Sequence, residues 1–389
     1  MSKAPATFLF GKAGSFIRTK ILKLSENRQQ IVHYFSPSWI PANNLKLISS
    51  DDRIEEISIL NNISTNIVVD HEKNDGNNGK KEYTIFFPGD IQLRLNDFMK
   101  YLQVDYPFES SFDDDENGRV MEVYYEHVLD ILYRKYPETS GLVIIQPNTL
   151  DLSSFIYEYE NFYVKGNANA VLFEILDNLF PNEGFGRNVG ENQQHVQLNL
   201  VAFSKGCVAL NSILSETANC ANCLAKNVNH LNESEDYLHW DEKPNKLVLP
   251  CYKITLKKEG QRNLNREEME RCVGLLKYNV KSINFVDCHR FITSEKLLTS
   301  ICKLLDERIH EDAFKFKIHQ TPLINEDNQF RKHIKYESDL FIKTLKKIYS
   351  SGEKNSPCPF LSYQYYYDEL EGKVDSFLLH FKVLTDFEQ

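Results

Sequence analysis

The stretch VQLNLVAFSKGCVALN, from Val196 to Asn211, decides the fold. Its first half is an apolar, branched run that reads as a buried strand, and its second half has the apolar spacing of an amphipathic helix. Between the two, Ala202-Phe203-Ser204-Lys205-Gly206 fits the small-x-Ser-x-small pattern of a nucleophile elbow. Such an elbow holds a serine on a strained strand-to-helix turn, with its hydroxyl above a parallel sheet. Small residues flank the serine because neighbouring backbone passes close by. The helix that follows turns backbone N–H groups and a positive dipole end toward a developing oxyanion, Lys205 N–H first among them. The pattern has Gly where this chain has Ala202, a difference of one methyl. The same five residues also occur around serines without a catalytic role, so the flanking strand and helix give the match its weight.

Upstream, the apolar strand core Ile85-Phe86-Phe87 runs into Pro88-Gly89-Asp90. In elbow hydrolases a Gly-containing turn after the third strand supplies half of the oxyanion hole through a backbone N–H. Gly89 would permit that turn, and Asp90 or Ile91 would supply the N–H; an ordinary strand-ending Pro-Gly turn is the alternative. Strands are expected at 28–35, 54–60, 63–69 and 141–145, with a polar loop at 70–81 and helices at 121–136 and 167–180. Beyond the elbow the pattern predicts helices at 266–277, 294–308 and 330–349, and strands at 282–286, 313–319 and 363–367. Alternating strands and helices predict an α/β fold: a doubly wound, mostly parallel sheet with helices on both faces and a ligand site at the carboxyl ends of the strands. Residues 26–389 are read as one domain, with a polar insertion at 216–262 after the elbow helix.

The bulk properties limit the function. With 389 residues, 42% of them hydrophobic and 12% aromatic, the chain can bury a large core. A net charge of −10 disfavours nucleic-acid and anionic-membrane partners, which require a concentrated basic face. No apolar run approaches the length of a transmembrane segment. The eight cysteines are scattered, which fits a reducing compartment better than a disulfide framework. Cys220 and Cys223 form a single CxxC with His230 and His239 nearby. A zinc-binding interaction module there would want a second pair, so two free thiols in a loop is the simpler reading, and no metal or cofactor is expected. Residues 1–25 contain Lys3, Lys12, Arg18, Lys20 and Lys23 and no acid before Glu26. Phe10, Ile17, Ile21 and Leu24 could share the apolar face of a mitochondrial transit helix, or the segment could be a basic lead into the first strands.

A serine hydroxyl needs a base to take its proton and a carboxylate to orient the resulting imidazolium. Elbow hydrolases place these in the order Ser, acid, His. Five histidines qualify after Ser204: His289, His310, His319, His333 and His380. His380, beyond the last strand, is the expected base. An acid just past the penultimate strand points to Asp327, with Glu326 beside it; Asp287, at the end of the preceding strand, is the competing acid. His319, on an alternating strand, reads as a half-buried structural histidine.

Several of these pieces together resemble the mitochondrial, α/β-hydrolase-like family typified by human chromosome-two open reading frame sixty-nine. The resemblance rests on Phe87-Pro88-Gly89-Asp90-Ile91-Gln92, on Phe203-Ser204-Lys205-Gly206-Cys207-Val208 followed by Leu210-Asn211, on Val286-Asp287 with His289, on His319 with Thr321-Pro322, and on His380-Phe381. It implies Ser204 as nucleophile, His380 as the histidine of the family's C-terminal His-Phe pair, and Asp327 as the aspartate a few residues after Thr-Pro. It also implies a mitochondrial location, with a cytoplasmic one as the alternative. Ala202 departs from the family's Gly, and the family's Asp-Gly-Gly-His is one residue shorter here, as Asp287-Cys288-His289. The expectation is a serine hydrolase acting on an ester or thioester of a small-molecule or lipid-like acyl substrate. The competing expectation is a binding or regulatory protein that keeps the hydrolase fold without turnover.

Overall fold

A computed structural model describes residues 18–23, 29–35, 81–89, 125–147, 149–151, 156–158, 162, 167–187, 196–228, 263–307, 314–324, 329–350, 361–368 and 376–387. The strands are β1 (Arg18–Lys23), β2 (Gln29–Phe35), β3 (Lys81–Phe87), β4 (Gly141–Ile145), β5 (Thr149–Asp151), β6 (Ile156–Glu158), β7 (Val196–Phe203), β8 (Val280–Val286), β9 (Lys315–Gln320) and β10 (Leu361–Tyr365). The helices are α1 (Tyr125–Lys135), α2 (Ala168–Leu179), α3 (Gly206–Ala225), α4 (Arg266–Gly274), α5 (Glu295–Asp306), α6 (Gln329–Ser350) and α7 (Ser376–Asp386). A π-helical turn, Leu275–Asn279, joins α4 to β8. The expected strands at 54–60 and 63–69, and most of the expected loop at 70–81, lie outside the described residues.

Eight strands form one sheet in the order β1-β2-β4-β3-β7-β8-β9-β10, and β5 and β6 form a separate hairpin. From β4 to β10 every neighbouring pair is parallel; β1–β2 and β2–β4 are antiparallel. The sheet is therefore mixed but mostly parallel. Its central strands are covered on both faces, which is why they read as unbroken apolar runs: β4 and β7 are buried along their whole length. Ile85, Val143, Leu200, Ile283 and Phe285 pack on one face against residues of α2 to α6. Phe86, Ile144, Val201, Phe203 and Val286 pack on the other against α1 and α7. The period of two along each strand thus separates two cores.

The chain lays β4 on one side of β3 and then crosses to lay β7 on the other. That reversal makes the carboxyl ends of β3 and β7 the switch point at which open α/β sheets bind ligands. Here the backbones nearly touch. A Cβ on Gly206 would lie 2.1 Å from the Phe87 carbonyl oxygen, and one on Gly89 would lie 2.6 Å from Cβ of Ser204. Close approach, rather than a left-handed backbone, fixes glycine at both places.

Two expectations change. The stretch 216–225 is not part of a polar insertion: α3 runs for 20 residues through Ala225 and buries Glu216, Cys220 and Cys223. Several of its polar residues bridge to other helices: Thr217 accepts from Asn169 Nδ2, and Asn222 Oδ1 accepts from the Ser300 hydroxyl. The Glu216 carboxylate accepts from the backbone N–H groups of Ala168 and Asn169 at the start of α2, at 3.1 and 3.0 Å. Residues 229–262, with His230 and His239, lie outside the described residues. At the other end of the chain, Arg18–Lys23 is strand β1, paired with β2 from Arg18↔Tyr34 to Lys23↔Gln29, so that part of the basic segment is sheet and not transit helix.

The glycine contacts make a graded prediction. In Gly206→Ala the new methyl meets a backbone carbonyl that cannot swing away, whereas in Gly141→Ala it meets the ring edge of half-buried Tyr34 at 2.8 Å. Urea unfolding should show a loss of about 3 kcal/mol or more for the first, the upper range of overpacking, and a clearly smaller one for the second. Equal losses would contradict the packing described.

Candidate active site

Ser204 follows β7 and Asp287 follows β8, and both have positive φ, 53° and 45°. For non-glycine residues that conformation is strained, and it persists only where the surroundings fix it. Here backbone bonds tie three adjacent strand ends together. Ser204 N–H donates to the Val286 carbonyl at 2.9 Å, Asp287 N–H to the His319 carbonyl at 2.7 Å, and His289 N–H to the Ser204 carbonyl at 3.3 Å. The serine therefore sits on a sharp strand-to-helix turn at the start of α3, as the elbow pattern requires.

Asp287 is fully buried. Its Oδ1 accepts from Thr321 N–H at 2.9 Å. Its Oδ2 accepts from the Thr321 hydroxyl at 2.5 Å and lies 2.5 Å from His380 Nδ1. His380 comes from α7, where Phe381 anchors the helix in the second core. The His380 ring lies against Phe203, the residue before the serine, with centroids 4.5 Å apart. It also lies nearly parallel to the His289 ring, at 5.8 Å and 21°. His289 in turn brings Nε2 to 3.2 Å from the Ser204 hydroxyl. Serine, two imidazoles and one carboxylate thus converge at the carboxyl ends of β7 and β8.

Of the residues singled out in the sequence, Ser204, Lys205, Asp287 and His380 are in this cluster or next to it. Asp327, Glu326, Asp90 and Ile91 lie outside the described residues. The carboxylate that meets His380 here is Asp287, the competing acid of the sequence reading. His289 was one candidate among five. Its signal was an Asp-x-His step at the end of the strand that pairs with the elbow strand, and it becomes visible only once β8 is known to neighbour β7. His319, expected to be half-buried, is almost fully buried. Its Nδ1 lies 3.1 Å from the Tyr366 hydroxyl. Burial, with smaller contributions from Lys317 and Lys135, pushes its pKa down to about 3.

Cys220 and Cys223 face the interior, where burial raises the Cys220 thiol well above its ordinary value and keeps it protonated. Among the described residues no group of three or more His, Cys, Asp or Glu could hold a metal ion, and no helix is long and apolar enough to cross a membrane.

No protein-family model matches the chain, and no curated protein matches it. Among solved structures it is similar to the siderophore hydrolase EstB from Aspergillus nidulans, with 11% identity over 95% of each chain and a TM-score of 0.36. That likeness is too loose to carry over any residue or substrate.

The buried histidine behind the site predicts a pH effect on stability. His319 is neutral in the folded protein down to about pH 3, whereas in the unfolded chain it takes up a proton near pH 6.5. The unfolded state therefore binds more protons below pH 6.5, and stability falls as pH drops through that window. Urea titrations at pH 7 and pH 5 should differ by about 2 kcal/mol from this group, and His319→Gln should remove that share of the difference. An unchanged pH dependence in the variant would show that His319 does not stay neutral on folding.

Proposed function

We propose that the protein is an α/β-hydrolase-like serine hydrolase that cleaves an ester or thioester of an acyl conjugate. Ser204 is the nucleophile, His380 the general base and Asp287 the acid that orients it. The observation that carries this reading is the buried Asp287–His380 pair, 2.5 Å between Oδ2 and Nδ1, set against the residue before an elbow serine of positive φ. A carboxylate on Nδ1 holds the proton there and leaves Nε2 of the neutral ring bare to accept one. His380 then takes the Ser204 proton as Oγ attacks the acyl carbon, and returns it to the leaving oxygen or sulfur. Asp287 stabilises the imidazolium between those steps. Thr321 keeps the carboxylate in place with two donors, so reorganisation is small when the charge appears. The oxyanion is assigned to Lys205 N–H at the start of α3 and to the N–H of Asp90 or Ile91 after Gly89. Gly89 is the position at which a side chain would collide with Ser204.

A second reading has its own support. Ser204 is only 1% exposed, which suits a binding or regulatory protein that keeps the fold without turnover. A fluorophosphonate probe separates the two, because it reports an activated serine without knowledge of the substrate. Hydrolysis predicts labelling of the folded wild type, none of Ser204→Ala, and labelling slowed by about 100-fold or more in His380→Ala and Asp287→Asn. A folded wild type that resists the probe would favour the non-catalytic reading.

We also propose a mitochondrial location, on the family resemblance and the acid-free N-terminal segment. Because β1 is paired along its length with β2, a removable targeting segment would end before Arg18. Protease protection of a C-terminally tagged chain in isolated mitochondria tests this; a chain found only in the cytosol would refute it.

A further inference from the structure

The site holds one histidine more than a serine, a base and an acid require. Its place is defined by two contacts to the same residue. The His289 backbone N–H donates to the Ser204 carbonyl at 3.3 Å, and ring Nε2 lies 3.2 Å from the Ser204 hydroxyl oxygen. The segment around it is fixed from several sides. The Arg290 carbonyl accepts from Asn211 Nδ2 on the elbow helix at 2.5 Å. Glu337 on α6 takes both the Arg290 guanidinium, at 2.5 Å, and Phe291 N–H, at 3.2 Å. His289 is thus held against the nucleophile by its neighbours.

Hydrogen-bond accounting then assigns its role. A serine hydroxyl has one proton to give and two lone pairs to receive with, so only one of two imidazoles can accept from it. Asp287 fixes His380 with its proton on Nδ1, which leaves Nε2 as the acceptor. With His380 taken as that acceptor, as the hydrolase reading has it, His289, the ring whose Nε2 lies 3.2 Å from the hydroxyl, meets Ser204 as a donor. We infer that His289 is a second catalytic histidine, a neutral Nε2–H donor to Ser204 Oγ that aims the hydroxyl proton at His380 and stabilises negative charge on Oγ. This rests on the hydrolase reading above, with His380 as base. In the step itself the Oγ–H proton passes to His380 and Oγ bonds to the acyl carbon, while His289 keeps its proton. When the acyl-enzyme is hydrolysed, Oγ departs and the same N–H stabilises it as the leaving group.

The test compares rates of fluorophosphonate labelling in wild type, His289→Ala, His289→Gln and His380→Ala, with thermal unfolding to confirm folding. In this reaction Oγ bonds to phosphorus and fluoride leaves. A donor that aims the hydroxyl predicts that His289→Ala is slower by about 100-fold, the loss expected when a reacting group is misplaced by about 1 Å. His289→Gln, which still presents an N–H, should stay close to the wild-type rate, and His380→Ala should be slower than either. If His289→Gln is as slow as His289→Ala while His380→Ala still labels, His289 is the base and the inference is overturned. Wild-type labelling of His289→Ala would also overturn it and leave the hydrolase reading standing. An unlabelled wild type would sink both. A second readout needs no turnover: in protein labelled with 15N-histidine, neutral His289 should be the Nε2–H tautomer and His380 the Nδ1–H tautomer. A bare Nε2 on His289 would rule out the donor role.

Discussion

The Asp287 carboxylate is the interaction on which the site depends. A fully buried ion costs several kcal/mol unless good hydrogen bonds replace its hydration, and removing one partner of such a set leaves a charge that nothing offsets. Asp287 accepts twice from Thr321 and lies 2.5 Å from His380 Nδ1, and its own N–H donates to the His319 carbonyl. These bonds join the ends of β8 and β9 to α7, elements more than thirty residues apart along the chain. The carboxylate therefore closes the carboxyl edge of the sheet as well as orienting an imidazole. Its contact with the imidazole and its packing cannot be separated by deleting it, which is why Asp287→Asn, retaining shape and one acceptor, is more informative than Asp287→Ala.

Strain is concentrated at the same edge. Ser204 and Asp287 both take positive φ, at the ends of two strands that pair from Leu198↔Val280 to Phe203↔Val286. Each turn is forced by the other: Ser204 N–H reaches back to Val286, and His289 N–H reaches across to Ser204. Glycines would relieve the φ cost at either place but supply no side chain. The chain instead puts its glycines at Gly89 and Gly206, where space rather than dihedral angle is limiting, and accepts a side chain at each strained position. That distribution puts polar side chains on the strained turns and bare backbone around them, the arrangement of a preorganised site.

Much of this was legible in the sequence, for identifiable reasons. The central strands are covered on both faces, so β4 and β7 appear as unbroken apolar runs, and the elbow appears between one of them and a helix. The helices expected from residues 266 and 294 begin at Arg266 and Glu295, capped by Asn265 with Glu268 and by Ser294. What stayed hidden depended on neighbours distant in the chain. The length of α3 was misread because Glu216, Asn219 and Asn222 look like an insertion; in the fold Glu216 is buried as a cap for α2. The acid remained a choice between Asp287 and Asp327 because strand order alone does not say which carboxylate α7 will reach. His289 was one histidine among five until β8 was placed beside β7.

The residues around His289 extend that point from geometry to chemistry. Five consecutive residues, 287 to 291, are held by Thr321, the elbow, Asn211 and Glu337, and Cys288 Sγ lies 2.6 Å from the Arg290 carbonyl. A segment so restrained loses little further freedom when a reaction begins, so the hydrogen bonds it offers need no new ordering. The Arg290–Glu337 pair is nearly buried on both sides, at 15% each, and its role follows from its position. In isolation such a pair adds little net stability, because desolvation offsets attraction. Its specific effect is to fix a backbone turn, through Phe291 N–H as well as the guanidinium, one residue beyond the imidazole that meets the serine. The ion pair, the strained aspartate and the second histidine are thus parts of one restraint. That restraint acts on the Ser204 hydroxyl, which lies 3.2 Å from the ring nitrogen the segment carries.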